Sequence, residues 1–268
     1  ADPNPAPPEP VFWDENTQKI VKEYIKLRYR FLPYNYSLAF ENSRSGRPLA
    51  MPVNYREPNN ARLKSVDDEY LWGDDLLIAP IYEKGKTERQ VVFPEGKWLD
   101  YLSGKVYTDS AIITADLSTL PIFARSGSFI PMTRDMQNTD NYTSDTLLVK
   151  YFPDAETQAS FTLYHDDGKD PKALQNDYEA LIFTDNYQKI PNTINLMSSK
   201  PGKKREIYFE IFNVKKPFRI YFNDNNLILL GTEDQLNKYT NTACYDPLTQ
   251  ILKIHITNSG EEQVLNFD

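Results

Sequence analysis

Apolar residues recur at helical spacing in one long stretch of this chain, and at strand spacing through most of the residues after it. Between Asp14 and Ser43, Ile20, Tyr24, Leu27 and Phe31 repeat three or four residues apart, and Val21, Ile25 and Leu32 widen the stripe. Lys19, Lys22, Glu23, Lys26 and Arg30 fill the opposite face. Asp14 stands where an N-cap is expected, with Glu15 in the favourable first turn. Pro33 has no amide hydrogen, so the spacing predicts an end or a kink near Phe31. The pattern resumes through Leu38 and Phe40, and Gly46 supplies a stop.

After Gly46 short apolar runs alternate with turn residues, the pattern of strands. Leu76–Ala79 reads as a buried strand closed by Pro80, and Gln90–Phe93 as another ended by Pro94, Glu95 and Gly96. Further strands are expected at Trp98–Tyr101, Lys105–Tyr107, Ile112–Thr114, Ile122–Ala124 and Phe129–Met132. Such regular spacing predicts a sandwich. A polar stretch, Arg134–Ser144, precedes a second β region. There Ala159, Phe161 and Leu163 alternate with polar neighbours, as do Leu252, Ile254 and Ile256. Ile207–Phe212 and Phe218–Phe222 read as a strand pair around Asn213–Pro217, and Asn223–Asn226 as a turn. The expected fold is mainly β: a helix, then two consecutive antiparallel β-sandwich domains, at 56–138 and 139–268. Pro3, Pro5, Pro7, Pro8 and Pro10 predict an extended start rather than a helix.

Composition narrows the function classes. With 40% hydrophobic and 25% charged residues the chain is globular, and 268 residues suffice for a sizeable core. A formal charge of −8 repels phosphate backbones, which argues against nucleic-acid binding. No apolar run is long enough for a membrane-spanning helix. The single cysteine, Cys244, allows no internal disulfide and leaves the redox compartment open. There is neither a signal-peptide pattern nor an initiating Met, so the chain is expected to start inside a longer gene product.

Candidate chemistry is sparse. Two separated histidines, His165 and His255, with Cys244 do not make a usual zinc ligand set. No nucleophile elbow, Walker A or dinucleotide fingerprint occurs, so no cofactor or metal is expected. The carboxylate clusters are Asp67-Asp68-Glu69, Asp74-Asp75 and Asp166-Asp167. A glycosidase needs two carboxyls about 5–9.5 Å apart across one bond. Neighbours on a strand point to opposite faces, so these doublets are not ready-made pairs and are expected in solvated turns or strand ends. Asp166–Asp170 lacks calcium-loop spacing. The sequons at Asn35 and Asn141 are short enough to arise by chance.

Five segments together carry a resemblance. Tyr24–Tyr36 reads Tyr-Ile-Lys-Leu-Arg-Tyr-Arg-Phe-Leu-Pro-Tyr-Asn-Tyr, and Gly46–Pro52 reads Gly-Arg-Pro-Leu-Ala-Met-Pro. Glu69–Pro80, Leu120–Pro131 and Phe161–Gly168 come after them in order. These resemble glycoside hydrolase family 31: the last helix of its (β/α)8 barrel, the entry to its proximal C-terminal domain, its Ile-Pro-x-Phe-x-Arg-x-Gly-x-Ile-x-Pro string, and the Tyr-x-Asp-Asp-Gly signature of its distal domain. Met51 stands where that family usually has Arg. Beyond Tyr178 the likeness is only to a general β pattern.

The resemblance implies a retaining α-glycosidase, an α-glucosidase or α-xylosidase, in the full-length protein, with residues 1–55 as an extended segment and the last barrel helix. It also implies that the nucleophile, the acid/base and a substrate-binding histidine lie upstream, since no position here matches them. No catalytic residue is therefore assigned, and barrel active sites form on loops that one helix does not supply. The chain is expected to be a non-catalytic scaffold, inactive alone, whose Ile20–Phe31 stripe packs on its own upstream barrel. Its oligosaccharide substrate would bind in the full-length enzyme. Alternatives are a carbohydrate-binding module using Tyr178, Tyr187 or Tyr239, a parent α-glucosyltransferase, and a free-standing structural protein. Without the barrel, the stripe predicts either a dimer through the helix or a helix folded back on the sandwich. Likeness to bacterial polysaccharide-degrading members implies export.

Overall fold

Asp14 starts the first helix by accepting two hydrogen bonds from Thr17, from its backbone N at 3.0 Å and from Oγ1 at 2.6 Å. This helix, α1 (Glu15–Arg30), breaks at Phe31 and continues as α2 (Leu32–Ser45), with Pro33 in the first turn of the new helix. Pro33 has no N–H to give to the previous turn, and at a helix start none is needed. Gly46, at φ 74°, ends α2 in the left-handed conformation, its N–H bonded to Asn42 O at 2.8 Å. The computed structural model describes residues 9–170, 173, 175, 177–186 and 192–268. Within these, Pro10–Phe12 form a short 3₁₀ turn rather than extended chain. Pro10 there fills a first-turn position. Pro3–Pro8 and Tyr187 lie outside the described residues.

The C-terminal end of the α1 stripe packs on the β region. Tyr24 Oη donates to Ser118 O at 2.9 Å and accepts from Leu120 N at 2.5 Å. Phe31 is fully buried, with ring centroids 4.9 Å from Trp72 and 5.6 Å from Tyr101. Of the two expected arrangements the helix takes the second, lying on the β region, because that region already presents an aromatic surface to it. Ile25, on the outward side, is half exposed.

The first sheet has six strands in the order Ala50–Pro52, Tyr70–Trp72, Leu76–Ile78, Ile122–Arg125, Trp98–Asp100 and Val106–Tyr107, with every pair antiparallel. Glu88–Val92 and Ser110–Thr114 form a separate antiparallel ribbon. Met51, Leu71, Leu77, Val91, Phe93 and Phe123 bury a core between them.

Two more six-stranded sheets complete the fold. One runs Ile228–Leu230, Thr242–Asp246, Ile251–Asn258, Arg205–Ile211, Thr146–Phe152 and Ser128–Met132; the other runs Ser160–His165, Glu179–Asp185, Asn192–Ser198, Gln263–Phe267, Ile220–Phe222 and Asn225–Asn226. Their inner faces meet through aromatic pairs such as Phe183 with Phe209 and with Phe129, at 6.3 and 5.9 Å. The strand expected to close the first β region, Ser128–Met132, pairs with Thr146–Phe152, so it enters the second. One hydrophobic cluster runs from Phe31 through Tyr101 and Phe152 to Phe267.

One expected pairing is overturned. Arg205–Ile211 pairs with Thr146–Phe152 in parallel and with Ile251–Asn258, whereas Ile220–Phe222 pairs with Gln263–Phe267 in the opposite sheet. Residues 213–217 are a crossing between sheets and not a hairpin loop. Asn213 takes a left-handed φ of 54° there, and its side-chain amide is spent on Gly104 O at 2.7 Å. Asn223 and Asp224, at φ 48° and 65°, make the expected tight turn.

Candidate functional site

Each carboxylate cluster singled out in the sequence is spent on holding the fold. Arg89 gathers the first. Its guanidinium is nearly buried and reaches Asp68 at 2.7 Å, Glu69 at 3.2 Å, and the backbone oxygens of Asp68 and Pro80 at 2.9 and 2.8 Å. Glu69 Oε1 also accepts from Val92 N at 3.0 Å, while Oε2 has no partner among the described residues. Burial outweighs the arginine and pushes the Glu69 carboxyl up to about 7. Asp67 is exposed.

Asp74 and Asp75 diverge, as neighbours at a strand start do. Asp74 pairs with Arg47 and with Arg56, the latter at 3.4 Å. Asp75 faces Arg125 instead, at 3.5 Å. Burial raises its pKa to about 6, against the pull of Arg125.

Asp166 is a junction. It accepts from Tyr36 Oη at 2.7 Å, from Tyr164 Oη at 2.6 Å and from Gly168 N at 2.7 Å. Asp167 accepts from the backbone of Lys169 and Asp170, both at 3.0 Å, which closes a turn. Burial, then the bond to Asp166, lifts the Tyr36 phenol to about 12. Among the described residues no group of three or more His, Cys, Asp or Glu side chains is placed to hold a metal ion.

The histidines also serve structure. His255 is buried and stacked on Tyr208 at 4.0 Å. Its Nδ1 faces the backbone oxygens of Leu236 and Tyr239 at 3.0 Å each, and its Nε2 faces Glu206 at 2.6 Å. His165 stands edge-on to Tyr142, and burial lowers its pKa. Cys244 is buried, and burial pushes its thiol up, away from nucleophilic character. Asn35 of the first sequon accepts from Trp72 Nε1 at 2.7 Å inside the helix packing. Tyr178 is packed against Phe40 and Tyr164, with centroids 5.0 Å from each, whereas Tyr239 is exposed.

Two charged clusters have no signal in the sequence beyond a basic residue at a strand's inner position. Arg205 is fully buried and paired with Glu179, which also accepts from Ser198 Oγ at 2.5 Å. Lys150 donates to Glu210 at 2.8 Å with its ammonium over the rings of Tyr101 and Phe212, at 4.7 and 4.6 Å. Lys253 bridges Glu210 and Glu233 at 3.5 and 2.7 Å.

The molecule is therefore a β-rich region behind two packed helices, with its clustered carboxylates committed to arginines, tyrosines and backbone amides. Known proteins share this architecture. Residues 46–130 match the glycosyl hydrolase family 31 C-terminal domain, and residues 2–38 match the glycosyl hydrolases family 31 TIM-barrel domain. The chain is 29% identical over 251 residues to alpha-glucosidase 2 of Bacillus thermoamyloliquefaciens, covering 92% of this chain and 30% of that protein. It is 32% identical over 165 residues to a 1,6-alpha-glucosyltransferase of Sporosarcina globispora, covering 60% of this chain and 13% of that protein. A GH31 dextranase of Flavobacterium johnsoniae, solved with glucose, superposes with a TM-score of 0.88 at 23% identity, over 97% of this chain and 34% of that one. The chain belongs to glycosyl hydrolase family 31, as a C-terminal portion of such a protein. It spans less than a third of the length of these curated relatives.

Proposed function

We propose that this region is the non-catalytic scaffold of a retaining α-glycosidase, and that it braces the barrel through the helices α1 and α2. The observation that carries this is the set of bonds fixing those helices to the sheets: Tyr24 to the 118–120 loop, Tyr34 Oη to Trp72 O at 2.8 Å, Ser37 Oγ to Tyr164 N at 3.0 Å, and Tyr36 to Asp166. A barrel whose last helix is held this way has its closing element positioned from outside. Residues 56–138 and 139–268 would act as two braces in series, coupled by the Ser128–Met132 strand.

Hydrolysis of p-nitrophenyl α-glucoside and α-xyloside by this chain, measured beside the protein that includes the barrel, tests the proposal. Turnover is expected only from the longer protein. Turnover by the chain alone would mean that a carboxylate pair in it is catalytic, and would overturn the scaffold role. Similarity to a glucosyltransferase favours a second reading, in which the parent transfers glucosyl units. Assaying the same reactions for glucosyl transfer to an added sugar acceptor separates the two.

A further inference from the structure

A cleft of about 370 Å³ opens where strands of the two facing sheets end together, between Tyr151, Asp185, Asn192, Asn213 and Phe267. Its floor is firmly built: Tyr151 and Phe267 are buried, and Tyr151 Oη donates to buried Asp185 at 2.5 Å. Its walls carry polar side chains among apolar ones. The side chains of Asn186, Asn192 and Lys215 make no hydrogen bond or ion pair among the described residues. Phe218 adjoins the cleft through the backbone: its N–H donates to Asp268 O at 3.1 Å, and Asp268 lines the cleft. The Phe218 ring is 85% exposed, with the Arg219 guanidinium 5.5 Å from its centroid.

The chemistry selects a class of ligand. Asp154, Asp185 and Asp268 disfavour an anion, and Lys215 offsets them against a simple cation. What remains is a neutral, hydroxyl-rich molecule. A primary amide offers a donor and an acceptor side by side, the complement of two adjacent sugar hydroxyls, each of which also donates and accepts. An exposed aromatic ring next to a cleft-lining residue gives the apolar C–H face of a pyranose a surface to cover. We propose that this cleft is a saccharide-binding subsite, with Phe218 as the stacking platform and Asn186, Asn192 and Lys215 as hydroxyl partners. It goes beyond the scaffold role and does not depend on catalysis, so its failure leaves that role untouched.

Calorimetric titration of the chain with maltotetraose and with isomaltotetraose tests it. Binding of at least one in the millimolar range is expected. Phe218→Ala is expected to weaken it about ten-fold, in line with the loss of one aromatic contact, and Asn186→Ala to weaken it as well. Tyr239→Ala, which removes an exposed aromatic elsewhere, is expected to leave it unchanged. Phe218 is on the surface, so an unaltered melting curve will confirm that its variant is folded. The absence of heat with both sugars would overturn the proposal. So would binding that survives Phe218→Ala, or binding lost in Tyr239→Ala.

Discussion

The Tyr36 hydroxyl donates to the Asp166 carboxylate at 2.7 Å across 130 residues of sequence. This bond ties the second helix to the loop after the Ser160–His165 strand, and Tyr164 donates to the other oxygen of the same carboxylate. Bonds to an ionised acceptor contribute about 1.5–3 kcal/mol each. Tyr36→Phe is therefore expected to lower unfolding stability by roughly 1–2 kcal/mol, and Asp166→Ala by more, since it strands two hydroxyls and the Gly168 amide. Urea unfolding of both variants and of the double variant checks this. The double variant should lose less than the sum, because the two groups share a bond. Strict additivity would show that the bond does not form in solution.

Gly73 sits under Tyr34. Its φ is 64°, and a Cβ there would collide with the Tyr34 hydroxyl and press on Leu38. Tyr34 is fully buried, and its hydroxyl donates to Trp72 O at 2.8 Å. Gly73→Ala is expected to cost on the order of 2–4 kcal/mol, from the left-handed backbone and from overpacking together. Tyr34→Phe keeps the ring and loses only the bond, so it should cost about 1 kcal/mol. Thermal unfolding that ranks the two variants the other way would refute this packing.

Much of this fold is legible in the sequence, and the remainder is hidden for a physical reason. Strand positions come from alternation and turn residues, so Leu76–Ile78, Ile122–Arg125, Ser160–His165 and Ile251–Asn258 lie where the pattern puts them. The break at Phe31 follows from Pro33. Alternation carries no information about partners, however. Arg205–Ile211 lies parallel to Thr146–Phe152 because the chain leaves for three strands of the other sheet before it returns, and no local signal records that excursion. The stripe of α1 marks an apolar face without saying what covers it. For the candidate site, doublets of acidic residues suit turns and strand ends, and Asp166-Asp167 is such a turn. The arginines that bind the others come from distant segments, as Arg89 does for Glu69, and their pairing exists only in three dimensions.

Glu69 gives the chain a pH dependence of defined sign. Burial raises its pKa from 4.5 to about 7. The folded state then binds more protons than the unfolded state between those values, so stability falls as pH rises through that window and levels off above it. Asp75, raised from 3.8 to about 6, acts in the same direction over a lower range. Glu69→Gln keeps an acceptor for Val92 N and removes the buried charge. It is expected to flatten the fall between about pH 5 and 7 and to stabilise the chain at pH 7 by roughly 1–3 kcal/mol. Denaturant unfolding of both proteins across that range is the measurement. An unchanged slope in the variant would show that Arg89 dominates burial at this site.

Arg205 and Glu179 form an ion pair with almost no access to water, and Arg205 Nε and one terminal nitrogen lack partners among the described residues. Taking two ions out of water costs several kcal/mol each, and their mutual attraction returns that only when the remaining donors are satisfied. The pair is therefore expected to add little net stability while making each partner indispensable to the other. Arg205→Met alone leaves Glu179 charged in an apolar setting and should cost about 3–5 kcal/mol. Glu179→Leu alone strands a guanidinium that cannot shed its proton, and should cost at least as much. Arg205→Met with Glu179→Leu removes both charges, leaving the partly exposed Ser198 hydroxyl to find water, and should recover most of the loss. Unfolding free energies of the four proteins form a double-mutant cycle. A double variant as unstable as the worse single one would mean that the pair contributes a specific, net favourable bond, and that the sandwich depends on it.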